Sequence, residues 1–271
     1  RSRGLGDVYK RQVPYDATSS YRPGSRFAPM EIRRASYNFE TYNHVSKIDL
    51  SDVPTCDIGD IEEHIDPDFI VDSVKSELSP YCDMGKIPLV LGGEHSITAG
   101  AVAAVKPDFY IAIDAHLDYR EEYLGSKNSH ACSLKRAADI VGKENVLALG
   151  VRSFERDEYE EARKDNISYK TADELNNISA REIAQSFKEV GKVYLSIDID
   201  GIDPAFAPGT GTPEPFGLDP RWVRDLIRAM SPSIVGLDVV EVCPPYDNGN
   251  TSALAAKLAR EFLAFSWKCK K

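Results

Sequence analysis

Phe109-Tyr110-Ile111-Ala112-Ile113-Asp114-Ala115-His116-Leu117-Asp118 decides how this chain folds. Its first half carries no charge and is rich in β-formers, as in a strand covered on both faces of a parallel sheet. Its second half alternates acid and imidazole with apolar residues. Residues two apart in extended backbone point to the same side, so Asp114, His116 and Asp118 converge just past the strand. Four more runs read as buried strands: Pro88-Leu89-Val90-Leu91, Val146-Leu147-Ala148-Leu149, Val193-Tyr194-Leu195-Ser196-Ile197 and Ile234-Val235-Gly236-Leu237. Helical stretches separate many of them. Asp66-Pro67 opens one with Ile70, Val74 and Leu78 on one face, and Ser179 with Glu182 forms a capping box before a helix ended by Gly191. Asp219-Pro220 opens another over Val223, Leu226, Ile227 and Met230, and Leu254, Leu258, Phe262 and Phe265 stripe the last. The alternation predicts a three-layer α/β fold with a mainly parallel sheet and ligands at the strand ends. The stretch 204–215, rich in Pro and Gly, is a loop, and a loop between a strand and a helix often carries function.

The composition bounds the function. The 271 residues are 42% hydrophobic and 28% charged, which suits one large globular domain. A net charge of -10 disfavours nucleic acid and anionic lipid as partners and favours a cationic substrate or metal. No window approaches a membrane span and the N-terminus lacks the apolar stretch of a secretory signal, so a cytoplasmic location is expected. The five cysteines are odd in number and show no C-x-x-C spacing, the pattern of reduced thiols. Residues 1–12 show no periodic pattern, and Asp7-Val8-Tyr9-Lys10-Arg11-Gln12 resembles the translation of a transposon-end adapter used to fragment DNA. They are expected to be a non-native extension, with a single domain over 13–271 that lacks part of an N-terminal strand.

Three strand ends deliver the same residue types: Gly92-Gly93-Glu94-His95-Ser96, then Asp114 to Asp118, then Asp198-Ile199-Asp200. Taken singly, a D-x-H or D-x-D is ordinary loop chemistry. Jointly they are hard to dismiss, because each buried charge would need its own compensation. Two imidazoles and four carboxylates exceed one tetrahedral zinc, but shared carboxylates can hold two divalent ions. Oxygen-rich ligation favours manganese.

With these motifs the chain resembles the ureohydrolase family of arginases and agmatinases, agmatinases above all. The likeness covers nearly all of the chain from Val13, through VPYDATSSYRPGSRFAP (13–29), GGEHS (92–96), DAHLDYREEYLG (114–125), SIDIDGIDPAFAPGTGTPEP (196–215) and LDVVEVCPPYD (237–247). It implies about eight strands and two Mn2+ ions per subunit. One ion is implied on His95, Asp114, Asp118 and Asp198, the other on His116, Asp114, Asp198 and Asp200, with a hydroxide between them as nucleophile. It also implies that Glu241 faces the guanidinium, that His130 moves the proton, and that the chain assembles as a trimer or hexamer.

Expected chemistry follows. Asp118 orients the nucleophile, Glu241 pairs with a planar guanidinium, and His130 protonates the departing amine, since imidazole is the side-chain type suited to loading and delivering a proton at working pH. Cys243, just past Glu241, is rejected as a nucleophile for want of a partner histidine, and His44 and His64 are read as surface residues. Glu121 and Glu122 are expected to attract the amine tail of agmatine, although they read equally well as a solvated pair. Aminopropylagmatine, guanidinobutyrate and arginine are the alternative substrates, and a noncatalytic metal-binding relative is the alternative outside catalysis. Phe216 stands where many family members carry Gly.

Overall fold

The computed structural model describes residues 7–187 and 189–270. Eight strands form one parallel sheet: β1 (Val8–Val13), β2 (Thr55–Asp60), β3 (Ile87–Gly92), β4 (Phe109–Ile113), β5 (Val146–Val151), β6 (Ser168–Thr171), β7 (Val193–Asp198) and β8 (Ile234–Val240). Their spatial order is β2-β1-β3-β8-β7-β4-β5-β6, and every pairing is parallel. An antiparallel hairpin, Tyr42–Asn43 with Ile48–Asp49, stands apart.

Alternation along the strands splits the core in two. Leu89, Leu91, Ile111, Ile113, Leu195 and Ile197 face one way. There they meet α1 (Ala28–Ser36), α6 (Ala172–Leu175), α7 (Ala180–Ser186), α8 (Pro220–Met230) and α9 (Asn250–Lys268). Val90, Tyr110, Ala112, Ala148 and Tyr194 face the other way. They meet α2 (Pro67–Asp83), α3 (Thr98–Val105), α4 (Ser133–Val141) and α5 (Arg156–Lys164). Both faces are covered, so the three expected layers are present and strand interiors read as unbroken apolar runs.

The helix signals in the sequence have physical counterparts. Asp66 and Asp219 accept backbone N–H bonds at the first turns of α2 and α8, and Ile70, Val74 and Leu78 are buried. Ser179 and Glu182 cap each other. That helix closes at Ser186, short of Gly191.

The sequence reading missed β1, β2 and β6. β2 and β6 are edge strands whose side chains are half-solvated, so neither shows an apolar run. β1 is interior and lies mostly in the segment 1–12 that is expected to be non-native; its residues Val8–Val13 pair with β2 and β3. Backbone hydrogen bonds form the ladder whatever the side chains are. Of the segment expected to be non-native, residues 1–6 lie outside the described residues.

Those side chains fit poorly. Arg11 has a side chain 9% exposed and pairs with Glu77 on α2, and it donates to the Ile58 carbonyl at 2.5 Å. Its Nε and the Oε1 of Gln12 are buried without a hydrogen-bond partner, and burial pulls the Arg11 guanidinium below its usual pKa. Apolar replacement of a buried ion pair is often stabilising, and Glu77, 42% exposed, would return to water. Arg11→Leu is therefore expected to raise the unfolding free energy by about 1–2 kcal/mol. A urea titration checks this through a higher midpoint at unchanged slope; a lower midpoint means that the pair stabilises β1.

Candidate active site

The ends of β3, β8, β7 and β4, four neighbours in the sheet, supply the polar cluster. The chain enters this quartet from β3 and returns through β7 and β8 between β3 and β4, so a crevice opens where the winding direction changes. His95 follows β3 in a 3-10 turn, and Asp198 ends β7 with Asp200 two residues on. Asp114, His116 and Asp118 follow β4 and Glu241 follows β8.

Two groups of donor atoms lie close enough to hold an ion each: His95, Asp114 and Asp198, and Asp114, His116 and Asp200. Asp114 belongs to both. The Nδ1 of His95 lies 3.1 Å from Asp114, 3.3 Å from Asp198 and 3.4 Å from Asp118. The Nδ1 of His116 lies 3.1 Å from Asp200 and 3.7 Å from Asp114. All six expected ligands are thus gathered, and all but half-buried His116 are buried.

The electrostatics call for cations. Burial first, then the neighbouring carboxylate of Asp118 for Asp114 and of Asp200 for Asp198, push both acids above the usual carboxylate range. Burial works against charge on His116, yet Asp200 and Asp114 hold it well above an ordinary imidazole, and His116 in turn offsets burial to keep Asp200 low. The fit to a metal rests on one atom. His95 Nδ1 is fully buried without a hydrogen-bond partner, facing three carboxylates, and a lone pair there suits a divalent cation.

Side chains behind the ligands fix them. Asp238, buried on β8, accepts hydroxyl protons from Ser196 at 2.5 Å, Thr98 at 2.8 Å and Tyr194 at 2.9 Å. With its proton committed to Asp238, the Ser196 hydroxyl accepts from His95 Nε2 at 3.0 Å, and the Nδ1 lone pair is left for the metal. Ser133 donates to Asp118 at 3.1 Å and Thr212 to Asp200 at 3.0 Å. Glu241 accepts the His95 N–H at 2.7 Å, while burial and then Glu94 push its carboxyl well above the usual range. Asp118 (φ 50°) and Glu241 (φ 61°) sit in left-handed backbone, and such local strain concentrates at functional sites. Gly93 admits no substitute: a Cβ there would lie 1.9 Å from the Tyr15 carbonyl.

A cavity of about 290 Å³ opens over the cluster. His130 and Glu241 line it, and Arg120, Tyr123, Phe154, Glu155 and Glu158 form much of its outer wall. Glu121 and Glu122 do not line it. Both are exposed, and Glu121 pairs with Lys127 at 2.9 Å and Arg136 at 3.3 Å. The acids at the mouth are instead Glu155 and Glu158, which pair with Arg120 at 3.1 and 3.5 Å. Phe216, 83% exposed at φ 65°, does not line the cavity and holds a backbone conformation that suits glycine. Burial and then Glu241 push the buried Cys243 thiol up to about 12, which removes it as a nucleophile. His44 and His64 are exposed, as expected.

Sequence reasoning missed Asp238, Ser196, Glu155, Glu158, Thr18 and Glu94. Glu94, Ser196, Asp238 and Thr18 stood inside quoted motifs without a role of their own, whereas Glu155 and Glu158, at the start of α5, lay outside every motif. Asp238→Asn places an amide where three hydroxyls donate, which frees Ser196 to turn its proton toward His95. Calorimetric titration is expected to show Mn2+ affinity falling roughly 10- to 100-fold with the circular dichroism unchanged. Undiminished affinity removes Asp238 from the support of the site.

Comparison with known proteins agrees with this geometry. The sequence pattern of the Arginase family matches residues 11–264. The agmatinase of Bacillus anthracis is 39% identical over 260 residues, covering 93% of this chain and 89% of that one. The N(1)-aminopropylagmatine ureohydrolase of Thermococcus kodakarensis is 38% identical over 251 residues, covering 91% and 86%. The crystal structure of the agmatine ureohydrolase of Thermoplasma volcanium superposes with a TM-score of 0.94 at 43% identity, covering 99% of this chain and 92% of that one. The chain therefore belongs to the arginase family, as an agmatinase-like ureohydrolase that hydrolyses a guanidino C–N bond.

Proposed function

We propose that this chain hydrolyses agmatine to putrescine and urea with two Mn2+ ions held by His95, Asp114, Asp118, Asp198, His116 and Asp200. The observation that carries the reading is the pair of donor groups sharing Asp114, with an unpartnered His95 Nδ1 at its centre. Bound there, two divalent ions would lower the pKa of a shared water toward neutrality and would neutralise the acids around them. The protein's residues do the rest. Asp118 lies beside the cluster, where it can orient the attacking water. Glu241 meets the guanidinium as a buried carboxylate, and the arriving cation gives it the counter-charge it lacks. Oxygen adds to the guanidinium carbon, the C–N bond to the alkyl tail breaks, and the departing nitrogen takes a proton from His130. Urea keeps the other two nitrogens.

Agmatine is favoured over arginine and guanidinobutyrate by charge at the mouth. Arg120, the cation of the outer wall, is already paired with Glu155 and Glu158, so a terminal amine meets surplus negative charge and a carboxylate finds no free partner. The relatives' names span agmatinase, N(1)-aminopropylagmatine ureohydrolase and guanidinobutyrase, and the longer amine tail of aminopropylagmatine would meet the same charge.

Urea release measured across agmatine, aminopropylagmatine, guanidinobutyrate and arginine, with Mn2+ added, is expected to give agmatine the highest kcat/KM. Glu241→Gln should lower it by about 10²-fold or more, the scale of losing one positioned charge. A tenfold preference for a carboxylate-tailed guanidine sinks the substrate assignment, and no urea at full metal occupancy points to a noncatalytic relative.

A further inference from the structure

We propose that Thr18, itself held by Glu94, positions His130 with its proton on Nδ1, so that Nε2 is the ring nitrogen that exchanges protons with the cavity. The inference rests on the proton-moving role given to His130 above and adds the two residues that set its tautomer. Thr18 lies in the loop after β1, 112 residues from His130, in the Asp16-Ala17-Thr18 part of a motif otherwise without a task.

The argument is an inventory of hydrogen-bonding capacity around one hydroxyl. Fully buried Glu94 receives three donors. One oxygen takes the Ser96 and Thr18 hydroxyls, each at 2.6 Å, and the other takes the Thr18 backbone N–H at 2.8 Å. The two hydroxyl donors fill the lone pairs of one oxygen, so any proton of the carboxyl group would sit on the other, away from the Thr18 hydroxyl. The Thr18 hydroxyl therefore spends its single hydrogen on Glu94. Two lone pairs remain. The His130 backbone N–H takes one at 3.1 Å, and His130 Nδ1 approaches the other at 3.0 Å.

An oxygen with no hydrogen left accepts only, so Nδ1 carries the proton and Nε2 carries the lone pair in neutral His130. The Ser129 hydroxyl also lies 3.4 Å from both Nδ1 and the Thr18 hydroxyl, at the long limit for such contacts. When the ring loads a second proton, the Nδ1–H bond to Thr18 is already made, and the acid is aimed through Nε2 without rotation. Tyr123 packs edge-on against the ring, with centroids 5.7 Å apart, and restrains the swing that would exchange the two nitrogens.

The test reads the tautomer directly. Long-range 15N–1H spectra of the full chain labelled at histidine, metal-free and loaded with diamagnetic Zn2+, are expected to show His130 as the Nδ1–H form, assigned by loss of the signal in His130→Asn. Thr18→Val removes the hydroxyl at near-constant shape. It should shift the signal toward Nε2–H and, with Mn2+, lower kcat roughly 10- to 100-fold while KM stays within about twofold. Thr18→Ser should restore both the signal and the rate. An Nε2–H signal in the unaltered chain overturns the inference, since it means that Glu94 donates to Thr18 and Thr18 to Nδ1. So does a Thr18→Val chain that keeps the Nδ1–H form, or a rate that Thr18→Ser fails to restore. The proton-moving role fails separately: His130→Asn at full rate overturns that reading and the catalytic use of the relay together, whereas an inactive His130→Asn beside an Nε2–H signal overturns the part of Thr18 alone.

Discussion

Mutual repulsion of buried carboxylates is the constraint on which this structure turns. Asp114, Asp118, Asp198 and Asp200 meet at the ends of two adjacent strands, β4 and β7, and all four are buried. Isolated in a protein interior, such a set would be prohibitive. The fold meets the cost locally. Backbone N–H groups of His116, Ala115 and Asp200 donate to Asp114, Asp200 and Asp198 at 2.7, 3.1 and 3.0 Å, and the two imidazoles close the groups from either side. What remains is an excess of negative charge shaped for small cations.

Holding that excess in register demands a rigid frame, and the sheet supplies it. The four site-bearing strands are central, with covered faces and parallel neighbours on both sides, so a ligand cannot retreat without breaking a ladder. Left-handed backbone at Asp118 and Glu241 costs on the order of 1–3 kcal/mol each. Arg152 adds a clamp by donating to the carbonyls of Asp200 at 2.6 Å and Glu214 at 2.7 Å, which ties the Pro- and Gly-rich loop to the segment just past β7. The loop serves as a wall of the site because one guanidinium spans both.

Behind the ligands runs a layer of hydroxyls, each with its proton committed by a buried acid. Ser196 between Asp238 and His95 follows the same logic as Thr18 between Glu94 and His130. In both, a carboxyl group claims the hydroxyl hydrogen and the oxygen orients an imidazole. The fold uses this device once for a proposed metal ligand and once for the proposed proton carrier.

Apolar strand runs, capping signals and the three clustered motifs made the layered architecture and the gathering of acids and imidazoles at the strand ends readable from sequence, because burial on both faces and the two-residue period of a strand are local properties. The sequence also declared the chemistry of Asp114, His116 and Asp118, since no turn of tertiary structure is needed to bring them together. Three things were decided only in three dimensions. The edge strands β2 and β6 and the ill-suited side chains of β1 depend on neighbours for their pairing, so their local pattern is weak. The surroundings of Glu121 are set by Lys127, Lys135 and Arg136, which draw it away from the cavity that Glu155 and Glu158 line instead. Asp238 and Thr18 reach their histidines across strand and loop crossings. A hydrogen bond between residues more than a hundred positions apart leaves no periodic trace in the chain.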